Sequence, residues 1–380
     1  MQESLAIIRT LSPASRRWLV TAAFSVALGA AFWQAPQSPA AAFIAPPPPI
    51  DSQLPPLQQS EMLPGVARMA AAPSLAQLAD GRIAASWVSG AENVREQEVI
   101  WFSTRDDHGW SEPYPVSTRE ETAGSIFAHI RQIDTPVLLQ HGDTLHLWYT
   151  ATSIGGHAGQ TIIHTHSTDG GQRWQKPVRL QTTPFGNNGM LLGTPPLPLA
   201  DGGIGLPASQ RLFSHHGEWL RLDAQGRVLD KARLPLASAA LQPAVFALDA
   251  NRALAILRDG RQLRAAATDN GGQAWHAVDF PEMPNPDTPI ALQRLPSGRL
   301  LLAGNTGEGR GTLALWLGDA SATQWRQAHL VESAGDAAAD FSEPSLLLAR
   351  DGRIHLAYAW RRQGIRHLSF SEAWLDGEMR

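Results

Sequence analysis

Cysteine is absent from the 380-residue chain. Disulfides, thiolate zinc sites and a cysteine nucleophile are therefore excluded. Charge is sparse, at 17% of residues with a net charge of −4, and no run of Lys or Arg follows residue 20. The chain thus lacks the electrostatic footprint of a nucleic-acid binder. Only three tyrosines occur, Tyr114, Tyr149 and Tyr358. Helix signals fail from about residue 65 onward, and no P-loop, dinucleotide fingerprint or Ser-His-Asp order appears.

The N-terminus is the exception to the missing hydrophobic runs. Arg9, Arg16 and Arg17 precede residues 18 to 33, which are all apolar or small, and no charge returns until Asp51. This is the pattern of an export segment, either a transmembrane signal anchor over 18–34 or a cleaved signal peptide. A basic stretch over 1–17 that stays cytoplasmic would place the remainder across a bacterial inner membrane, in the periplasm. Residues 35–64 carry "APPPPI" and "LPPLQQ", too much proline for a helix or central strand, and are expected to be an extended tether.

Residues 65–380 read as all-β. Short runs such as "RIAASWV", "TLHLWYTA", "ALAILR", "RLLLAG" and "RIHLAYAW" each follow a turn pair. The turns fall at Asp80-Gly81, His141-Gly142, Asp201-Gly202, Asp249 to Asn251, Ser297-Gly298 and Asp351-Gly352. Six turns at this spacing predict six four-stranded units around an axis, a β-propeller.

"STDGGQRW" spells Ser-x-Asp-x-Gly-x-x-Trp across Ser167, Asp169, Gly171 and Trp174, and "TDNGGQAW" keeps the pattern at Thr268, Asn270, Gly272 and Trp275. The acid accepts from turn N–H groups, glycine supplies a positive φ, and tryptophan packs beneath the hairpin. A calcium loop would need more oxygen ligands and a distal Glu. "STRDDHGW" and "GDASATQW" retain little beyond Trp110 and Trp325. His164 and His166 share one side of a strand, but no third ligand completes a metal site, and no metal or other cofactor is expected. "FSHHGEWLRL", with His215, His216 and Trp219, reads more as packing than as a sugar platform.

The two complete motifs resemble the Asp-boxes of sialidases and other BNR-repeat proteins. "LQPAVFAL", "ILRDG", "PDTPIALQRLPSGRLLLAGN" and "DFSEPSLLLARDGRIHLAYAW" resemble the C-terminal half of the sialidase-like six-bladed propellers. The resemblance implies a glycan ligand, a carboxylate-binding set of three arginines, a Glu-assisted Tyr nucleophile and an Asp proton donor. Arg258 and Arg310 fall where the second and third arginines belong, and Arg68 in "ARMAAAPSL" resembles a distorted first. Loop arginines without a ligand remain the other reading of all three.

The departures are as informative as the matches. Glu343 stands where the nucleophilic tyrosine belongs, and "LQPAVF", with Gln242, stands where its activating Glu belongs. An ionised carboxylate would be repelled by the acid group of a sialic acid at the carbon it attacks. It could still serve an ordinary glycosidic bond as nucleophile or base, with Glu92 or Glu96 of "GAENVREQE" as acid partner. Two functions follow as expectations: an exo-acting glycoside hydrolase on an acidic or modified envelope or exported polysaccharide, or a non-catalytic glycan-binding or assembly propeller. In the second, Glu343 is only a rim residue held by arginine.

Overall fold

A computed structural model describes residues 12–34, 42–50, 54–65, 69–91, 94–183, 186–212, 214–237, 239–334 and 339–378. It separates into two compact units, residues 1–40 and 41–380. In the first, a helix runs over Pro13–Gln34. Ser12 caps it by accepting from the Ser15 N–H at 3.2 Å, and Pro13 takes the first helical position, where a missing N–H costs nothing. The helix starts before the expected 18, and the transmembrane expectation needs correction. Among the described residues no helix is long and apolar enough to cross a membrane. Here Ala, Ser, Thr and Gly interrupt the large apolar residues, and the two arginines lie inside the helix.

The second unit is the expected six-bladed propeller, with six antiparallel sheets following one another along the chain. The innermost strands are Ala71–Gln77, Gln132–His141, the short pair Met190–Leu191 and Leu197–Pro198, Leu241–Ala247, Ala291–Arg294 and Phe341–Leu348. All six predicted turns close the first hairpin of a blade, with positive φ at Gly81, Gly142, Gly202, Gly298 and Gly352. Six apolar cores fill the spaces between neighbouring blades. Trp148, for example, packs with Leu206 and Leu220 of the next blade, and Trp219 with Trp275.

The ring closes through the N-terminal part of the unit. Gln58–Met62 pairs with Gly364–Phe370, so the sixth blade takes its outer strand from the other end of the domain. The stretch before it is no free spacer. Phe43 is buried at 1% exposure against Trp219 and its N–H donates to Ala250 O, while the Ile50 N–H donates to Pro296 O. The propeller therefore begins near residue 42 rather than at 65, because Phe43 finds an apolar seat that only the folded blades create. A short helix, Glu372–Glu378, follows the last strand and is held by Arg299, 2.6 Å from Glu372 and 2.7 Å from Asp376.

The chain direction gives the propeller two unlike faces. Inner strands start at one face and end at the other, where both the first hairpin turn and the turn between the third and fourth strands lie. The Asp-boxes occupy that second face. In the first box Ser167 Oγ donates to Asp169 Oδ1 at 2.7 Å and accepts the Gly171 N–H at 2.9 Å, and Trp174 packs edge-on to Phe102. The box at Thr268 repeats these bonds. "GDASATQW" forms a third: Asp319 Oδ1 accepts from the Gln324 N–H at 2.7 Å, and Ala322, at φ 60°, takes the glycine position.

Candidate active site at the propeller axis

The starts of the inner strands share a feature that no single blade reveals. Ala72-Pro73, Thr135-Pro136, Thr194-Pro195, Gln242-Pro243, Thr288-Pro289 and Glu343-Pro344 place a proline near the axis in every blade. Proline has no N–H to give a partner strand, so it is tolerated at an edge or a bulge. The pairing registers slip at these points, between Ala71 and Ser74, Asp134 and Val137, Leu241 and Ala244, and Ser342 and Ser345. The residue before proline takes a left-handed backbone at Ala72 (φ 48°), Thr135 (50°), Gln242 (53°) and Glu343 (57°). Each bulge turns its side chain toward the axis.

A cavity of about 30 Å³ lies inside this ring, lined by Ala72, Thr135, Gly193, Gln242 and Glu343 among others. It has room for one or two waters. Among the described residues Glu343 brings the one carboxylate to that lining. Its Oε2 accepts the Ala72 N–H at 2.8 Å, tying the sixth blade to the first, and its Oε1 lies 3.8 Å from Arg310 Nη1. Arg310 also donates to Ser342 Oγ at 3.1 Å and lies 3.6 Å from Asp340. The side chain of Glu343 keeps 22% of its surface exposed, so it is open to the mouth.

Two further carboxyls form a chain from it: Asp134 feels the charge of Glu343, and Glu98 feels that of Asp134. Asp134 is raised from the usual carboxylate range by burial and by the charge of Glu343, and the nearby Arg362 only partly offsets this. Its Oδ1 accepts from the Thr135 N–H at 2.7 Å. Glu98 is pushed up to about 7, mainly by burial and also by Asp134, although it accepts the Ile133 N–H at 3.0 Å. A carboxylate whose charge raises a buried neighbouring carboxyl, as Glu343 does Asp134, is a pairing that acid–base chemistry uses. Sequence reading missed Asp134 and Glu98 because their perturbation arises from contacts between blades. The recurring X-Pro step was the available signal for Asp134, two residues ahead of Pro136.

The expected site residues divide. Arg310 joins Glu343. Arg258 belongs to the Gln242 side of the cavity, donating from Nε to Gln242 Oε1 at 2.7 Å and pairing with Asp287. Gln242 also donates to Leu192 O at 2.8 Å, so it is a braced amide in the position expected for an activating Glu. Arg68 and Glu92 lie outside the described residues, as does the side chain of Glu96. Arg361 and Arg362 were not singled out from sequence, yet Arg362 Nε lies 2.8 Å from Asp340.

No tyrosine lines this cavity among the described residues. Tyr358 is 1% exposed and donates to Glu332 Oε1 at 2.7 Å; burial and that carboxylate push its pKa well above the phenol range. It is a core residue paired with glutamate, and no nucleophile. His164 lies in a stack of rings: its Nε2 is 3.0 Å from His146 Nδ1, Trp148 packs against both, and the His166 ring is 5.7 Å from that of His164. Trp219 is buried, and His216 lies 3.3 Å from Glu218. No group of histidines and carboxylates suited to a metal occurs among the described residues.

Comparison with known proteins agrees with this architecture. Solved structures similar to the chain include a Dyadobacter fermentans protein described as of unknown function, with 17% identity, TM-score 0.64, and 82% of this chain and 98% of that one covered. The leech intramolecular trans-sialidase complexed with 2,7-anhydro-Neu5Ac has 13% identity and TM-score 0.64 over 82% of this chain and 69% of that one. The Trypanosoma rangeli sialidase in complex with sialic acid has 13% identity and TM-score 0.58, with coverages of 83% and 55%. At these identities the likeness concerns the fold. No curated protein sequence matches the chain. The family described as BNR repeat-like domain matches residues 81–356, most of the propeller, and the chain belongs to that family.

Proposed function

We propose that the axial mouth is a carboxylate-based glycoside hydrolase site acting on an acidic polysaccharide. The observation that carries this reading is Glu343: a bulge before Pro344 aims it into the axial cavity, with Arg310 on one oxygen and Asp134 close enough to feel its charge. In this reading Glu343 acts as nucleophile or base toward the anomeric carbon or its water. Asp134 delivers the proton to the leaving oxygen, with Glu98 behind it as a second protonated carboxyl. Arg310, 3.8 Å from Glu343, offers a guanidinium to an acidic substituent. Substitution of Glu for the family tyrosine directs the site away from sialic acid, whose carboxylate adjoins the reacting carbon.

The second reading is a glycan-binding propeller without turnover. It is favoured by the narrowness of the cavity and by the carboxylates that already occupy Arg258 and Arg310. Incubating the full chain and its Glu343→Gln variant with nonulosonic, uronic and neutral glycosides separates the two. Hydrolysis by the wild type alone supports the first, and binding without hydrolysis by either protein supports the second. Equal hydrolysis by both removes Glu343 from the chemistry.

The proposed address is the periplasm, with the segment around Pro13–Gln34 acting as an export signal on the strength of its Arg9, Arg16 and Arg17 flank. Detection of the chain only in the cytoplasmic fraction of the cells that make it would contradict this.

A further inference from the structure

The hairpin between Ile354–Trp360 and Gly364–Phe370 closes through a Gln363 N–H donated to Trp360 O at 2.9 Å. Its two central residues, Arg361 and Arg362, have φ of 52° and 50°. Two left-handed residues in succession define a type I′ turn, where Asn-Gly is the favoured pair and two long L side chains are strained. Such strain recurs around the mouth and is densest at this corner. Of the ten non-glycine residues with positive φ among those described, Met69, Ala72, Glu343, Arg361 and Arg362 meet where blade six joins blade one. Left-handed backbone that the surroundings impose at one spot points to a task for the side chains.

The arrangement of charge says what that task is. Asp340 sits between two guanidinium groups, 2.8 Å from Arg362 Nε and 3.6 Å from Arg310 Nη1. Arg310 turns inward to Glu343, whereas Arg362 leaves 44% of its side chain open to solvent. The Met69 N–H donates to Arg362 O at 2.8 Å, and the Arg361 N–H to Asp340 O at 2.6 Å, so the tip is fixed to both neighbours. Arg361 lies flat enough to reach the rings of Phe341 and Trp360, each 5.7 Å away. The result is two cationic stations in a row, one at the cavity and one on its rim.

We infer that the Arg361–Arg362 tip is a rim subsite for a second acidic unit of a polyanionic glycan, separate from the arginines at the cavity itself. Arg362 receives the carboxylate of the sugar next to the one at Glu343, with a charge that an Asn-Gly tip would lack. The subsite rests on the acidic-polysaccharide reading and adds to it that the ligand carries consecutive anionic units.

The test replaces the pair by the residues its turn prefers, R361N/R362G, with R362Q as a second variant that keeps the arginine at 361. Galacturonic acid and its tetramer are titrated against the full chain by calorimetry, with melting recorded in parallel. The wild type binds the tetramer roughly tenfold or more tighter than the monomer, and that advantage falls with salt. Both variants lose the advantage and keep the monomer affinity, and R361N/R362G melts higher by about 1–3 °C. An undiminished chain-length advantage in both variants overturns the subsite alone, as does a lower melting temperature for R361N/R362G, which makes the arginines structural. A wild type that binds neither sugar overturns the acidic-polysaccharide reading and the subsite with it.

Discussion

The two faces of this propeller are built by opposite rules. On the Asp-box face the hydroxyl and carboxylate of the box find partners within a few residues: Ser167 holds the Gly171 N–H at 2.9 Å, Asp169 holds the Arg173 N–H at 2.9 Å, and Gly171 supplies a φ of 94° at no steric cost. On the axial face the same job of turning the chain is given to Thr135, Gln242 and Glu343, residues for which a left-handed backbone is strained. One face spends its sequence on satisfying turns; the other holds charge and strain around a cavity. The difference teaches that the repeat motif marks where the fold is stabilised, and that the proposed chemistry belongs to the far end of the same strands.

Four measurements would break or sharpen that contrast. Glu343→Gln should lower hydrolysis of an acidic glycoside by roughly 10²–10⁴-fold, the usual contribution of a positioned acid–base group, while the amide oxygen continues to accept the Ala72 N–H and the melting temperature hardly moves. Gly171→Ala should do the reverse. An added Cβ would lie 2.6 Å from the Phe102 ring on a left-handed backbone, a loss of roughly 2–5 kcal/mol of stability by denaturant titration with turnover unchanged below the transition.

The third concerns acid. His146 is lowered to about 4 by burial, and His164 and His355 to about 3. Each is neutral in the fold and charged in the unfolded chain between its folded value and about 6.5, so stability falls as pH drops through that window, by at most about 1.4 kcal/mol per pH unit per histidine. Asp134 and Glu98 act with the opposite sign. Their folded values are raised, so the folded state holds more protons and gains stability as pH falls from about 7 toward 4. Glu98→Gln should therefore steepen the acid loss measured by urea titration at pH 4 to 7, and His355→Leu should flatten it. The smallest effect is expected from Ser167→Ala. It removes the hydroxyl that bridges Asp169 and Gly171, at a cost of about 1–2 kcal/mol, and should leave glycan binding untouched.

The contrast also explains what could be read from the sequence. Turns and boxes depend on local chemistry, so Gly81, Gly142, Gly202, Gly298 and Gly352 announced the six blades. The third box escaped because Ala322 takes the glycine position, and only its φ of 60° reveals it. Phe43 escaped because its seat is made by Trp219 and by blades far along the chain. At the site, Glu343 and Arg310 were legible through the family resemblance. Asp134, Glu98 and Arg362 acquire their character from neighbours in other blades or at a hairpin tip, where no short motif records them. Arg258 lies on the Gln242 side of the cavity, with its guanidinium held by Gln242 and Asp287. Tyr358 shows the converse hazard, since a Tyr–Glu pair does exist and is sealed in the core.

The most direct test of the account is a crystal structure of the chain with an acidic oligosaccharide bound. The account predicts the sugar at the axial mouth, with its glycosidic oxygen facing Glu343 and Asp134 and its acidic groups toward Arg310 and Arg362. A sugar seated over the Asp-boxes on the opposite face, with the mouth empty, would contradict it.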